Sequence, residues 1–346
     1  AWACYLDIEH GDFYELLDHL SAEGDDLNIG WTVKQSFIDR LNKGDTEAVN
    51  RFQKAMKVKL VTGKGYFFFI DKANAKRPLI YKDKGLFINN SQLCSEIMLH
   101  NSTELTYTCV LSSMNGAKYN EWKDTDAVYW ATLFLDCVAG EFIQRAKGVR
   151  GLEKAVKFTE KSRALGLGLC GIHTLFMQEG FPFESFDAHM LSQSISALIM
   201  KEATRATKDM AKELGEPEWC KGYGVRNTHL IAIAPTKSTA LLMGGVSEGI
   251  NPDPAMSYTQ TTSAGEVDRT NVVLLELMKK KGVYSKKHIQ EITDNQGSVQ
   301  KVSWLTPEEK EVFKTAFEIN QKAVLRLASA RALYIDQWQS LNLFFS

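Results

Sequence analysis

The sequence has almost no net charge: 41 Lys and Arg stand against 42 Asp and Glu in 346 residues. Without a basic block there is no electrostatic groove for nucleic acid, and without an acidic tail there is no solvated end. A partner or substrate must be recognised by local contacts, not by a global field. No apolar run approaches the ~20 residues of a membrane span, so no membrane partner is expected. The start, Ala1-Trp2-Ala3-Cys4-Tyr5, lacks the basic region and cleavage site of a signal peptide. The cysteines at 4, 94, 109, 137, 170 and 220 include no C-x-x-C pair, and the seven histidines show no zinc-ligand spacing, so no metal ligands are assigned. Scattered thiols fit a reducing compartment. Cys4, Cys137, Cys170 and Cys220 are expected to be small buried apolar residues. Low-complexity linkers and short repeats are also missing, which leaves a single domain over 1–346.

What is present is a large core and an alternating pattern. Hydrophobic residues make up 44% of the chain, enough for a fully packed domain. Short apolar runs at 2–8, 28–33, 66–70, 106–111, 165–172 and 230–234 read as strands. Amphipathic stretches fill the gaps. One helix is expected over 124–147, with Val128, Ala131, Leu135, Val138 and Phe142 on its inner face. Another runs after Asp187, its N-cap, to Gly215, with Leu191, Ile195, Leu198 and Met210 inward. A third opens on Thr306-Pro307-Glu308-Glu309, a capping box with Pro in the first turn, and continues to about 331. Strand–helix alternation with long crossovers predicts an α/β fold with a mainly parallel sheet. The continuous run Leu230-Ile231-Ala232-Ile233-Ala234 fits burial on both faces. The polar stretch 253–305 reads as an excursion with a helix over 271–280. Residues 1–8 read as the middle of a strand and 341–346 as an uncapped apolar end, so both termini read as cut from something longer.

The residues with most chemical promise are Cys94, Glu96 and Cys109. Cys94 follows a turn-like stretch and is expected on a loop, with Glu96 on the same side if that loop is extended. Thiol and carboxylate together can combine one-electron and acid–base chemistry. The spacing alone is equally that of a buried Cys beside a solvated Glu. The run Pro235-Thr236-Lys237-Ser238-Thr239 follows a strand, and on a helix N-terminus its hydroxyls and amides would hold a diphosphate, with Lys237 as a point charge. Taken alone it is an ordinary helix start.

The wording of several segments is more specific. Ser91-Gln92-Leu93-Cys94-Ser95-Glu96-Ile97 resembles the finger loop of the ribonucleotide reductase large subunit, S-N-L-C-x-E-I. Thr106-Tyr107-Thr108-Cys109-Val110-Leu111-Ser112 resembles the segment bearing one of that family's reducing thiols. Arg163-Ala164-Leu165-Gly166-Leu167-Gly168 is similar to its R-x-x-G-x-G strand, the 235–239 run to its phosphate loop, and Gly249-Ile250-Asn251-Pro252 to G-I-E-P. Ile335-Asp336-Gln337-Trp338-Gln339-Ser340-Leu341-Asn342 resembles I-D-Q-x-Q-S-L-N. The matches run in family order along the whole chain.

The resemblance implies part of a ten-stranded α/β barrel with a central finger loop at about 88–98. It implies radical reduction of ribonucleoside diphosphates to deoxyribonucleoside diphosphates. Cys94 would be the thiyl radical that removes the ribose 3′ hydrogen, Glu96 the base for the 3′-hydroxyl, and Cys109 a protonated reducing thiol. Gln92 stands where the family has Asn, which contacts the ribose and orders the Glu. Ser91, Leu93, Pro235, Thr236, Lys237, Ser238 and Thr239 would bind substrate. No cofactor would be bound directly: the radical would come from a separate metal-containing small subunit, as in class I enzymes of large DNA phages, or, in a class II alternative, from adenosylcobalamin. Other implied partners are the N-terminal part of the large subunit with the second thiol of the Cys109 pair, thioredoxin or glutaredoxin as reductant, and a second copy in a homodimer, in the cytoplasm of a bacterial host. This chain alone would then not turn over. Asn251 replaces the family's Glu, and the expected specificity loop, reduced to 21–26, has no arginine.

Three rivals compete. A Rossmann oxidoreductase would explain Gly166-Leu167-Gly168-Leu169-Cys170-Gly171, which fits G-x-G-x-x-G, but the run follows polar Glu160-Lys161-Ser162-Arg163, and no acidic residue ends a second strand about twenty residues on. Its glycines are better read as letting a strand pack tightly. A glycyl-radical enzyme shares the barrel and the finger-loop Cys, but its glycyl loop has no counterpart here. The third rival is a non-catalytic assembly fragment.

Overall fold

The computed structural model describes residues 2–21, 27–262 and 265–345. Of the loop expected over 21–26, all but Ser21 lies outside them. The first layer is a parallel sheet of β1 (Trp2–Asp7), β2 (Leu27–Val33) and β3 (Tyr66–Phe69) in that order, linked by α1 (Phe13–Ser21), α2 (Gln35–Asn42) and α3 (Thr46–Thr62). Phe13, Leu17 and Leu20 of α1 pack with Trp31 and Phe37 in a core beneath this sheet. Each such side chain contributes roughly 1.5–3 kcal/mol by leaving water. The short helices α4 (Ile70–Lys76) and α5 (Leu79–Asp83) then lead into an irregular stretch, 84–110.

The second layer begins with β4 (Leu111–Asn115), α6 (Tyr119–Trp122), α7 (Ala127–Ala146), α8 (Glu153–Ser162) and β5 (Gly166–Cys170). β4 and β5 pair in parallel, Leu111 opposite Gly166 and Asn115 opposite Cys170. Segment 230–234 joins β5 through a parallel bridge between Leu167 and Ile231, and 336–340 joins 230–234 through one between Ile233 and Gln339. α9 (Ile172–Gln178), α10 (Phe186–Leu214) and α11 (Lys237–Leu242) complete this half. The glycines of β5 do pack tightly: a Cβ on Gly168 would lie 2.6 Å from the Ala232 carbonyl oxygen. The described strands form separate sheets, not a closed ten-stranded ring.

The excursion is a unit with its own core. It holds an antiparallel hairpin of β6 (Ser257–Thr262) and β7 (Gly265–Thr270), then α12 (Val272–Lys280) and α13 (Lys286–Asp294). Met256, Leu274, Met278 and Ile292 are buried together. α14 (Pro307–Val312) and α15 (Gln321–Arg331) follow.

Several expected boundaries move. The strand expected at 106–111 forms instead at 111–115, because Thr106 N–H donates to the Lys154 carbonyl and pairing with β5 starts only at the Val110 carbonyl. The helix expected over 306–331 is two. Its capping box is formed, but Ala316 N–H donates to the Asp253 carbonyl and Thr315 N–H to the Glu318 carboxylate, so the chain leaves the helix and Asn320 caps a new one. Ser185, not Asp187, caps α10, its hydroxyl accepting from Ala188 N–H. On α7 the inner face is Val128, Thr132, Leu135 and Ala139; Val138 is exposed. Cys170 and Cys220 are buried as expected, whereas Cys4 and Cys137 are exposed.

Candidate active site

The finger loop has almost no regular structure of its own, so side chains hold it. At its entry, Asn74 on α4 grips Ile88 like a strand partner: its Oδ1 accepts from Ile88 N–H at 2.9 Å and its Nδ2 donates to the Ile88 carbonyl at 2.8 Å. Further on, the Tyr107 hydroxyl donates to Asn90 Oδ1 at 3.1 Å. The Tyr5 hydroxyl of β1 meets Ser91 Oγ and donates to the Gln92 carbonyl. Ser91, Gln92 and Leu93 line a cavity of about 380 Å³ together with Tyr5, Asn90 and Tyr107.

Cys94 lies on a loop, as expected, and the tip of that loop is a tight turn and not extended. Ser95 N–H donates to the Gln92 carbonyl at 3.0 Å, and Ser95 has a left-handed φ of 68°. The Gln92 side chain folds over this turn and accepts from Ile97 N–H at 2.8 Å. Its Nε2 is buried without a hydrogen bond, and so is Oε2 of Glu96. Glu96 is 1% exposed. Burial pushes its carboxyl up from the ordinary range, while its own backbone and the nearby Gln92 amide oppose that shift. The carboxylate oxygen and the amide thus keep hydrogen-bonding capacity that the protein does not fill.

Cys94 and Cys109 face the same space. Burial raises the Cys94 thiol, with the Glu96 charge second. Burial, then Glu96, then Cys94 push the Cys109 thiol up to about 12. Both residues are nevertheless exposed. Burial thus keeps both thiols protonated, and the Glu96 charge acts on each of them. Tyr107 and Tyr66, both raised first by burial, also respond to Cys109 and to Cys94 respectively, and so stand near those thiols.

The structure thus brings Ser91, Gln92, Leu93, Cys94, Glu96 and Cys109 together. The 235–239 run lies at the C-terminal end of segment 230–234. Thr236 has a left-handed φ of 56°, its hydroxyl accepts from Gly249 N–H at 2.8 Å, and its carbonyl accepts from Ala240 N–H. Lys237, Ser238 and Thr239 open α11 with their side chains in solvent, and Pro235 is half-buried. Gly249 needs its glycine, since a Cβ there would sit 2.9 Å from the Ala234 carbonyl oxygen. One strand connects this turn with the finger loop: Trp338 accepts at its carbonyl from Ile233 N–H and donates its N–H to the Glu96 carbonyl at 2.9 Å. Sequence reasoning missed Tyr5, Asn74, Tyr107 and Gln337 as holders of the loop. Only Gln337 carried a signal, its place in the D-Q-x-Q run.

No group of three or more His, Cys, Asp and Glu among the described residues could hold a metal ion, and no described helix is long and apolar enough to cross a membrane. His173 and His229 are fully buried, which lowers both to about 3 and keeps them neutral.

The family description "Ribonucleotide reductase, barrel domain" matches residues 39–222 and 217–346. The chain is 33% identical over its whole length to the putative ribonucleoside-diphosphate reductase large subunit of Frog virus 3, of which it covers 65%. It is 36% identical over 72% of its length to the large subunit of Invertebrate iridescent virus 6, covering 26% of that protein. The solved class Id ribonucleotide reductase alpha subunit of Actinobacillus ureae superposes with a TM-score of 0.92 at 40% identity, over 99% of this chain and 64% of that one. The chain therefore spans less than two thirds of the length of these relatives.

Proposed function

The chain belongs to the ribonucleotide reductase barrel family, and from that membership we propose that it carries the catalytic finger loop of a class I enzyme reducing ribonucleoside diphosphates to deoxyribonucleoside diphosphates. The observation that carries this reading is the proximity of Cys94, Glu96 and Cys109 around one turn of the loop, close enough that Glu96 raises both thiols and Cys94 raises Cys109. On this reading residues 1–346 are one part of a ten-stranded barrel, and the rest of the large subunit supplies the remaining strands and the second thiol of the Cys109 pair.

A separate metal-containing subunit would supply the oxidising equivalent that removes one hydrogen atom from Cys94; the name "alpha subunit" of the Actinobacillus relative favours this over adenosylcobalamin. The Cys94 sulfur then takes the hydrogen on C3′. Glu96 accepts the 3′-hydroxyl proton, and the 2′-hydroxyl, protonated by one thiol of the reducing pair, leaves as water. Its raised carboxyl lies closer to neutral pH, where a group that takes and returns a proton works best. Gln92 Nε2 donates to the sugar hydroxyl that Glu96 holds. Cys109 and the second thiol deliver two electrons, closing a disulfide. A thiol held at about 12 is protonated at neutral pH and has its hydrogen to give. Cys94 returns hydrogen to C3′. The diphosphate lies at 235–239, with Lys237 opposite its charge. Thioredoxin or glutaredoxin reopens the disulfide, the complete subunit forms a homodimer, and the six free cysteines fit a reducing cytoplasm.

One turnover without external reductant tests this. The full-length large subunit with its radical partner should yield about one deoxyribonucleoside diphosphate per site, while Cys109 loses its reaction with iodoacetamide. Product formed with Cys109 still a free thiol removes Cys109 from the reducing pair. No deoxy product from any ribonucleoside diphosphate overturns the function.

A further inference from the structure

Segment 336–340 is out of step with the strand beside it. Ile231 accepts at its carbonyl from Gln337 N–H at 3.2 Å, and in a regular parallel ladder Ile233 N–H would then reach the Gln337 carbonyl. It reaches Trp338 instead, and Ser340 N–H bonds the Ile233 carbonyl. One residue is inserted, as in a β-bulge, and bulges beside active sites re-aim groups. Asp336 takes up the slack at one end, its carboxylate accepting from Leu230 and Ile231 N–H. At the other, Trp338 N–H is turned to the Glu96 carbonyl.

The bulge also directs the Gln337 side chain. It is 5% exposed. Its Oε1 accepts from Met98 N–H at 3.2 Å and its Nε2 donates to the Leu165 carbonyl at 2.7 Å, at the entrance to β5. Gln337 and Trp338 therefore bond the backbone on both sides of Ile97, immediately after the Cys94 turn. The loop has no ladder of its own there, and Ile97 N–H is already taken by Gln92.

We propose that Gln337 is a positioning residue for the Cys94–Glu96 pair: through the bulge it ties the returning arm of the finger loop to β5 and fixes where thiol and carboxylate stand. This rests on the catalytic reading of those two residues, but its test does not depend on nucleotide reduction.

The experiment compares alkylation of Cys94 by iodoacetamide across pH 6–10 in the full large subunit, with Cys109 as internal reference. In Gln337→Leu both side-chain bonds are lost. Cys94 should react at least about fivefold faster, its profile moving to lower pH as the loop swings from Glu96, while Cys109 changes by less than about twofold. Gln337→Glu supplies the rescue. Its protonated carboxyl keeps one donor and one acceptor in the same places, whereas its ionised form turns a negative oxygen on the Leu165 carbonyl. Cys94 reactivity should match the parent at pH 6 and approach the leucine variant at pH 9–10. With the radical partner, kcat should fall at least about tenfold in Gln337→Leu with KM within about threefold. An unchanged Cys94 profile in a folded Gln337→Leu overturns the proposal. So does a parallel rise at both thiols, which marks general loosening. If Gln337→Leu does not fold, Gln337→Glu decides, and a Cys94 rate that follows the parent at every pH overturns it. If the parent reduces no nucleotide but Cys94 responds as described, the positioning stands and the proposed function falls.

Discussion

At the scale of single residues, Glu96 gives the sharpest prediction. It accepts a proton only when ionised, and burial raises its carboxyl above the usual carboxylate range. The acid limb of kcat should therefore lie above the ~4.3 of an ordinary glutamate. Glu96→Gln should lower kcat by roughly 10²–10⁴-fold and abolish that limb. A kcat profile from pH 5 to 9 whose acid limb persists in the variant assigns it elsewhere. Cys109, at about 12, should add no alkaline limb in this range. That Cys94, Glu96 and Cys109 stand close together was legible from the two motifs that hold them. Gln92 was legible as a departure from Asn, but not its fit: the longer side chain reaches back to Ile97 N–H across the turn. The exposure of Cys4 and Cys137 was not legible, because a thiol is small enough for either side of a surface.

At the scale of elements, capping chemistry could be read directly. Thr306 and Glu309 close a capping box and Gly215 ends α10 as anticipated. What could not be read was where long-range bonds override a local pattern. The break at 313–320 depends on Asp253 and Glu318, and the late start of β4 on Lys154 and the β5 register. The same holds for Asp136, hidden in an apolar-looking helix. Its carboxylate accepts from Arg163 at 2.7 and 2.8 Å, from Arg226 at 2.9 Å and from Asn227 at 2.9 Å, so that α7, the entrance to β5 and segment 226–227 meet at one buried anion. Its desolvation is offset by the two guanidinium groups, which leave its carboxyl below the usual range. Asp136→Ala strands both cations and should cost about 3–5 kcal/mol, read from urea unfolding at pH 7. A loss below about 1 kcal/mol would show that the network is not holding these elements together.

At the scale of the whole molecule, the finger loop stands between two parallel layers. Asn74 and Tyr5 hold it from the first, Gln337 and Trp338 from the second. The α/β class and the parallel pairing were legible from strand–helix alternation. The incomplete sheet was not, because 230–234 read as a continuous strand, yet Asp336 and the inserted residue replace much of the ladder between it and 336–340. The arrangement leaves one sulfur at the tip of the loop, and the account depends on that atom. The most direct measurement is the deoxyribonucleotide formed in one turnover by a Cys94→Ser full-length large subunit reconstituted with its radical partner. No product is predicted, with nucleotide binding and unfolding midpoint close to the parent. Deoxyribonucleotide formed by that variant would contradict the account.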